Sequence, residues 1–183
     1  MRRSGVLLPV TSLPSRFGIG TFSKEAYAFV DFLKEAGQKL WQILPLGPTG
    51  YGDSPYQAFS TFAGNPYLID LEELIENGWL TEEECENTDW GGSKSYVDYE
   101  KMYQGRFPLL RKAYHNSHIA ENAEFIAFCE ENDWWLSDYA LFMAIKDSQG
   151  GASFLEWDAP LKLREPEAIR RCRHELSDEI CFW

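Results

Sequence analysis

The chain has 183 residues, 44% of them hydrophobic and 25% charged, with a formal net charge of −12. That length and mixture suit one ordinary globular domain with its own core and exclude a disordered tail. So acidic a balance excludes tracking of a phosphate backbone and disfavours anionic membrane, and no run reaches the roughly 18 apolar residues of a membrane span.

The N-terminal stretch MRRSGVLLPVTSLP has a basic start and a short apolar run. Pro9, Pro14 and the missing small-residue cleavage site argue against a signal peptide, so the cytoplasm is the expected compartment. GVLLPV, Gly5 to Val10, reads as a buried strand bounded by Gly and Pro. Ser23 is placed to cap a helix through Glu35, with Ala26, Phe29, Val30 and Leu33 on one face and Gly37 at its end. KLWQILPL, Lys39 to Leu46, is apolar on both faces apart from Gln42 and reads as a doubly buried strand. Strand, helix and strand in about 40 residues predict a parallel βαβ unit with a right-handed crossover. Two parallel strands cannot be buried on both faces alone, so further strands are expected, in an open α/β sheet or a closed barrel.

Beyond Leu46 the pattern turns helical. Leu71 to Glu76 and Thr81 to Glu86 predict short helices separated by Asn77-Gly78, and DWGGSKS, Asp89 to Ser95, predicts a loop. Further helices are predicted near Phe107 to His115, Glu121 to Glu131 and Asp133 to Asp147, the last ended by Gly150-Gly151. From Glu165 to Trp183 the residues Ile169, Cys172, Leu176, Ile180 and Trp183 fall on one helical face. The segment stops on Cys181-Phe182-Trp183 with neither cap nor polar tail, so the expectation is a chain cut within a helix.

Site chemistry in α/β proteins sits on loops after the strands. Those loops here are TSLPSRFGIGTF and GPTGYGDSPYQAFS. Neither is a phosphate cradle, because RFGIGT lacks a following Lys-Ser/Thr pair and Gly47 to Gly52 contains no Lys. A pyranose offers a flat C–H face and a rim of hydroxyls. Tyr51, Asp53, Ser54, Tyr56 and Gln57 supply rings and hydrogen-bonding groups for both within seven residues, although an ordinary turn with a packed tyrosine would look the same. Aromatics make up 15% of the chain, which fits either such a surface or an aromatic core. Trp134 and Trp135 sit in helical context and are assigned to core packing. Cys85, Cys129, Cys172 and Cys181 are scattered without a CxxC, so reduced, mostly buried thiols are expected rather than a zinc site. His115, His118 and His174 lack partners at useful spacing and read as surface or capping residues.

Three segments carry a longer likeness: GVLLPVTSLPSRFGIGTF, KLWQILPLGPTGYGDSPYQAFSTFAGNPYLIDLEEL and DYALFMAIKDSQGG. They strongly resemble the N-terminal part of the amylomaltases, the 4-α-glucanotransferases of glycoside hydrolase family 77. The likeness runs from about Gly5 to Trp183 and is poorest from Thr81 to Ser95. It implies an α/β fold, the first two strands of a (β/α)8 barrel plus a mainly helical subdomain. Residues 1–70 would be the barrel start with its substrate-binding loop, 71–164 the helical insertion, and 165–183 a helix returning to the barrel.

The resemblance also implies a reaction. Family members hold a glucosyl fragment covalently on an aspartate and pass it to another sugar, with a glutamate as acid and base and a second aspartate in support. Those carboxylates would lie beyond Trp183, so no catalytic residue is expected in this chain. No metal or organic cofactor is implied, and the partners would be α-1,4-glucans and maltooligosaccharides. Carried over by motif, Ser54 and Tyr56 would line the sugar next to the scissile bond, with Asp53 and Gln57 beside them, although Asp53 reads first as a loop-shaping or hydrogen-bonding residue. Tyr51 and Tyr103 would belong to a separate glucan-holding groove, although Tyr103 could equally be a helix-face core residue. Asp70 and the pairs Glu72-Glu73 and Glu82-Glu83-Glu84 read as structural or solvated. Two other readings stay open: a non-catalytic glucan-binding module, and an α-glucan hydrolase of the same clan.

Overall fold

In the computed structural model, which describes residues 2–50, 52–93 and 95–183, the chain divides into two compact units, Met1–Ser117 and His118–Trp183. The first unit opens with the expected βαβ arrangement. Strand β1 (Gly5–Leu7) pairs in parallel with β2 (Leu40–Gln42), Gly5 beside Leu40 and Leu7 beside Gln42, and helix α1 (Lys24–Glu35) connects them. The α1 start follows from its cap: the Ser23 side chain accepts a hydrogen bond from the Glu25 backbone N–H, an arrangement that contributes about 1 kcal/mol.

The strands are shorter than the apolar runs suggest and are not buried on both faces. Val10 leaves the strand for a 3-10 turn, Val10–Ser12. Leu8, Trp41, Ile43 and Leu46 pack with Phe29 around buried Val10, Leu13 and Ala26, so one face of the pair is covered by α1. On the other face Leu7 is 57% and Leu40 51% exposed. The reason is geometric. Among the described residues the sheet has two strands, and α1, which joins them, packs on one face only. Val30, expected on the buried face of α1, is exposed as well.

Helices α2 (Leu71–Glu76) and α3 (Glu82–Glu86) form where predicted, capped by Asp70 and Thr81. Thr81 and Glu84 make a reciprocal capping box. Their glutamates do more than face solvent: Arg16 reaches Glu82 at 2.5 Å and Glu86 at 2.6 Å, Lys24 pairs with Glu72, and Lys112 with Glu84. Pairs this exposed are screened by solvent and add little to stability. Helix α4 (Tyr99–Ser117) begins eight residues before the expected Phe107. Gly105 falls in the added turns. It lies inside the helix because its bare Cα admits the neighbouring loop, where a Cβ would come within 2.5 Å of Thr88 Cγ2.

In the second unit, α5 (Ala123–Ser148) is one helix where two were expected. The anticipated break at Asn132 is absorbed: its side chain donates to the Phe128 carbonyl at 2.9 Å and accepts from Trp135 Nε1 at 3.0 Å. Short α6 (Ala159–Lys162) follows. The C-terminal helix, predicted as continuous, is instead α7 (Pro166–Glu175) and α8 (Ser177–Phe182), with Leu176 outside helical geometry at φ −109°, ψ 23°. Its apolar face survives the break. Ile169, Leu176 and Ile180 pack against buried Leu141, Ile145, Trp157 and Cys172.

Trp134 corrects the core-packing assignment, being 69% exposed, while Trp135 is half-buried. The three histidines lie at the surface. All four cysteines are free thiols, Cys85 and Cys172 buried, and burial pushes both above the ordinary thiol pKa. No helix among the described residues is long and apolar enough to cross a membrane.

Candidate functional site

The two loops after the strands fold back on themselves. In the second, Thr49 bridges Ala58 in antiparallel fashion, and the Asn65 N–H donates to the Leu46 carbonyl at 2.8 Å. Gly47 permits this closure, since a Cβ there would lie 2.8 Å from Ala58 Cβ. The first loop closes through the Gly20 N–H on the Thr11 carbonyl at 3.1 Å. Between them lies a pocket of about 90 Å³ with Thr11, Leu46, Thr49, Asp53, Tyr67 and Tyr99 in its wall.

Three of those side chains set its character. Asp53 adopts a left-handed backbone, φ +51°, with its N–H donating to the Gly50 carbonyl, and its carboxylate accepts from Thr49 Oγ1 at 3.4 Å. Burial pushes the Asp53 carboxyl above its ordinary value, and the Thr49 hydroxyl opposes that rise. Tyr67 lies in the 3-10 turn Pro66–Leu68, whose Asn65 cap accepts from the Tyr67 N–H at 2.9 Å. Its phenol is raised well above the usual range, by burial first and by the charge of Asp53 second. Tyr99, at the start of α4, is raised by burial and by Asp53, opposed by its hydrogen bond with Thr11. The two rings stand 6.1 Å apart at 47°. Both phenols therefore keep their protons at any working pH. One carboxyl group, two phenols and two threonines line an apolar-walled hollow, a combination suited to gripping a polyhydroxylated ligand. Among the described residues, Asp53 is the only one in this wall that bears a carboxyl group.

Of the residues singled out from sequence, Asp53 lines the pocket. Ser54, Tyr56 and Gln57 do not, although Pro55 between them does. Ser54 and Gln57 close a turn, Gln57 N–H on the Ser54 carbonyl at 3.0 Å, and Tyr56 stands 75% exposed beside it. Tyr103 is exposed on α4 with its ring 5.2 Å from Phe107, so it is not a core tyrosine. Tyr51 lies outside the described residues. Sequence reasoning missed Thr11, Tyr67 and Tyr99. Two signals were present: Asn65-Pro66 announces a capped turn that fixes Tyr67, and Tyr99 precedes Tyr103 by four residues on one helix face. Asp70, expected to be structural, caps α2 by accepting from the Glu72 N–H at 3.2 Å.

Comparison with known proteins matches this geometry to a family. The model of glycoside hydrolase family 77, described as 4-alpha-glucanotransferase, matches residues 8–183. The chain is 48% identical over 185 residues to a 4-alpha-glucanotransferase of Thermus thermophilus and 45% identical over 174 residues to one of Clostridium butyricum. These matches take in 99% and 95% of this chain but 36% of each relative, so the chain spans little more than a third of their length. Among solved structures, the amylomaltase of Streptococcus agalactiae in complex with acarbose superposes with a TM-score of 0.93 at 45% identity, over 100% of this chain and 37% of that one. An amylomaltase of Corynebacterium glutamicum, 19% identical with a TM-score of 0.65, shares the fold. The α/β unit with its helical continuation belongs to glycoside hydrolase family 77.

Proposed function

We propose that this chain is the N-terminal portion of a 4-α-glucanotransferase, supplying substrate contacts to a site whose catalytic carboxylates come from the rest of the protein. The observation that carries this reading is the pocket at the ends of two parallel strands, where Asp53, Tyr67 and Tyr99 converge. Its single carboxylate suits binding, and the 45% identical amylomaltase solved with acarbose supports a sugar-like occupant. In this reading β1 and β2 are the first strands of a (β/α)8 barrel, and the uncovered face bearing Leu7 and Leu40 turns toward its interior. Residues 1–70 form the barrel start, 71–164 the helical insertion, and 165–183 the return to the barrel.

The glucan is an α-1,4-linked maltooligosaccharide, cleaved with retention and passed to a second sugar hydroxyl, in the cytoplasm and without metal or organic cofactor. Ser54, Tyr56 and Gln57 bind along the exposed rim beside Asp53. Tyr51 and Tyr103 offer rings to a more distant stretch of the glucan. Transfer rather than hydrolysis requires water to be held off the glycosyl-enzyme.

The test is incubation of the full-length protein with maltotriose, followed by chromatography. Glucose together with chains longer than maltotriose is the expected result. Glucose and maltose without longer products would replace the transferase with a hydrolase, and no turnover with retained glucan binding would leave a binding module.

A further inference from the structure

Behind the pocket, α4 buries an arginine. Arg106 is 0% exposed, and among the described residues only one of its three guanidinium nitrogens has an acceptor, Nη2 on the carbonyl of Ile69. Nε and Nη1 find none. Burial pulls its pKa down to about 10, and the charge of Asp70 nearby opposes that fall. Desolvating a guanidinium and leaving two of its donors unmatched is costly, and an apolar side chain of similar length would fill the same volume without that cost. What Arg106 reaches shows what the cost secures. Ile69 and Asp70 end the turn that carries Tyr67, and Asp70 is tied both to α2 and to Thr21 Oγ1 at 3.5 Å. Tyr67 packs between Tyr99, tilted at 47°, and Phe107, near edge-on at 62°, each with its ring centre 6.1 Å away. Tyr99, Tyr103 and Arg106 recur at four and three residues along α4, so one face of that helix presents both the pocket tyrosine and the arginine.

We propose that Arg106 is a positioning residue for the sugar pocket: it pins the Asn65–Asp70 turn to α4 and so fixes the Tyr67 hydroxyl opposite Asp53. This rests on the reading of that pocket as a glucan site. A loosened turn costs ligand binding without touching the carboxylates that do the chemistry. The signature is therefore a KM effect.

The experiment measures KM, kcat and Tm for maltotriose disproportionation by the full-length protein carrying Arg106→Met, Arg106→Lys or Tyr67→Phe. Losing one well-placed hydrogen bond to the sugar corresponds to about a tenfold change. Arg106→Met is expected to raise KM about tenfold with kcat within about twofold, and Arg106→Lys, which keeps a donor for Ile69, to recover most of the loss. Tyr67→Phe is expected to raise KM similarly. A lower Tm with unchanged KM in Arg106→Met would overturn the proposal and leave Arg106 a brace of the fold. Unchanged KM in Tyr67→Phe would instead remove the pocket reading on which it rests. Should Arg106→Met not fold, Asp70→Asn takes its place, because asparagine keeps the cap while removing the charge facing the guanidinium. Raised KM there supports the proposal, and unchanged KM overturns it.

Discussion

The second unit contains a hollow of about 200 Å³ walled by Leu141, Phe142, Ile145, Trp157 and Ile169, whereas the pocket at the strand ends holds only about 90 Å³. The larger one has the charged side chains Lys162 and Arg164 in its lining and otherwise apolar groups that already belong to a helix-packing core. The smaller is lined by Asp53, two tyrosines and two threonines, with the charge of Asp53 acting on both phenols. Volume is thus a poor guide to function in this molecule. Convergent polar groups on a shaped backbone mark the site, and an apolar gap between helices marks packing.

Mutations separate the two. Leu141→Ala, in the wall of the larger hollow, should cost about 2–5 kcal/mol of stability and lower Tm by about 5–15 °C. A thermal scan checks this, and KM for maltotriose at low temperature should not move; a KM change of tenfold would make the larger hollow part of the site. Tyr56→Phe should leave Tm alone and lower kcat/KM about tenfold if the exposed hydroxyl bonds the sugar. Equal kcat/KM would place Tyr56 outside the site.

The smallest effect concerns Asp53. Its folded-state pKa is raised by burial, so ionisation is disfavoured in the native state. A carboxyl of that kind imposes a penalty that is present above its folded pKa and vanishes below its unfolded value of about 3.9. Asp53→Asn keeps an acceptor for Thr49 and tolerates the left-handed backbone. It should therefore raise Tm by about 1–2 °C at pH 7 and leave it unchanged near pH 3. A gain that persists at pH 3 would assign the effect to backbone preference rather than to charge.

The same contrast explains what the sequence disclosed. The βαβ start was legible because Ser23, Gly37 and two apolar runs act locally. Its burial was not, since covering the second face depends on partners that no local pattern supplies. One helix end failed where a side chain rescues the break: Asn132 bonds within α5. The single helix expected from Glu165 onward failed differently, because the apolar spacing persists across the kink at Leu176. At the candidate site, of the aromatic-polar run Tyr51 to Gln57 that drew attention to this loop, Asp53 lines the pocket, whereas Ser54, Tyr56 and Gln57 do not. Tyr67 and Tyr99 come from 14 or more residues away along the chain, and only the fold brings them to Asp53. Arg106 gave no signal at all, because in sequence a buried arginine on a helix looks like an exposed one.

The most direct measurement is a crystal of the full-length protein soaked with maltotetraose. Glucosyl density against Asp53, Tyr67 and Tyr99 is the predicted result. Density confined to the hollow beside Leu141 and Trp157, with the strand-end pocket empty, would contradict the account.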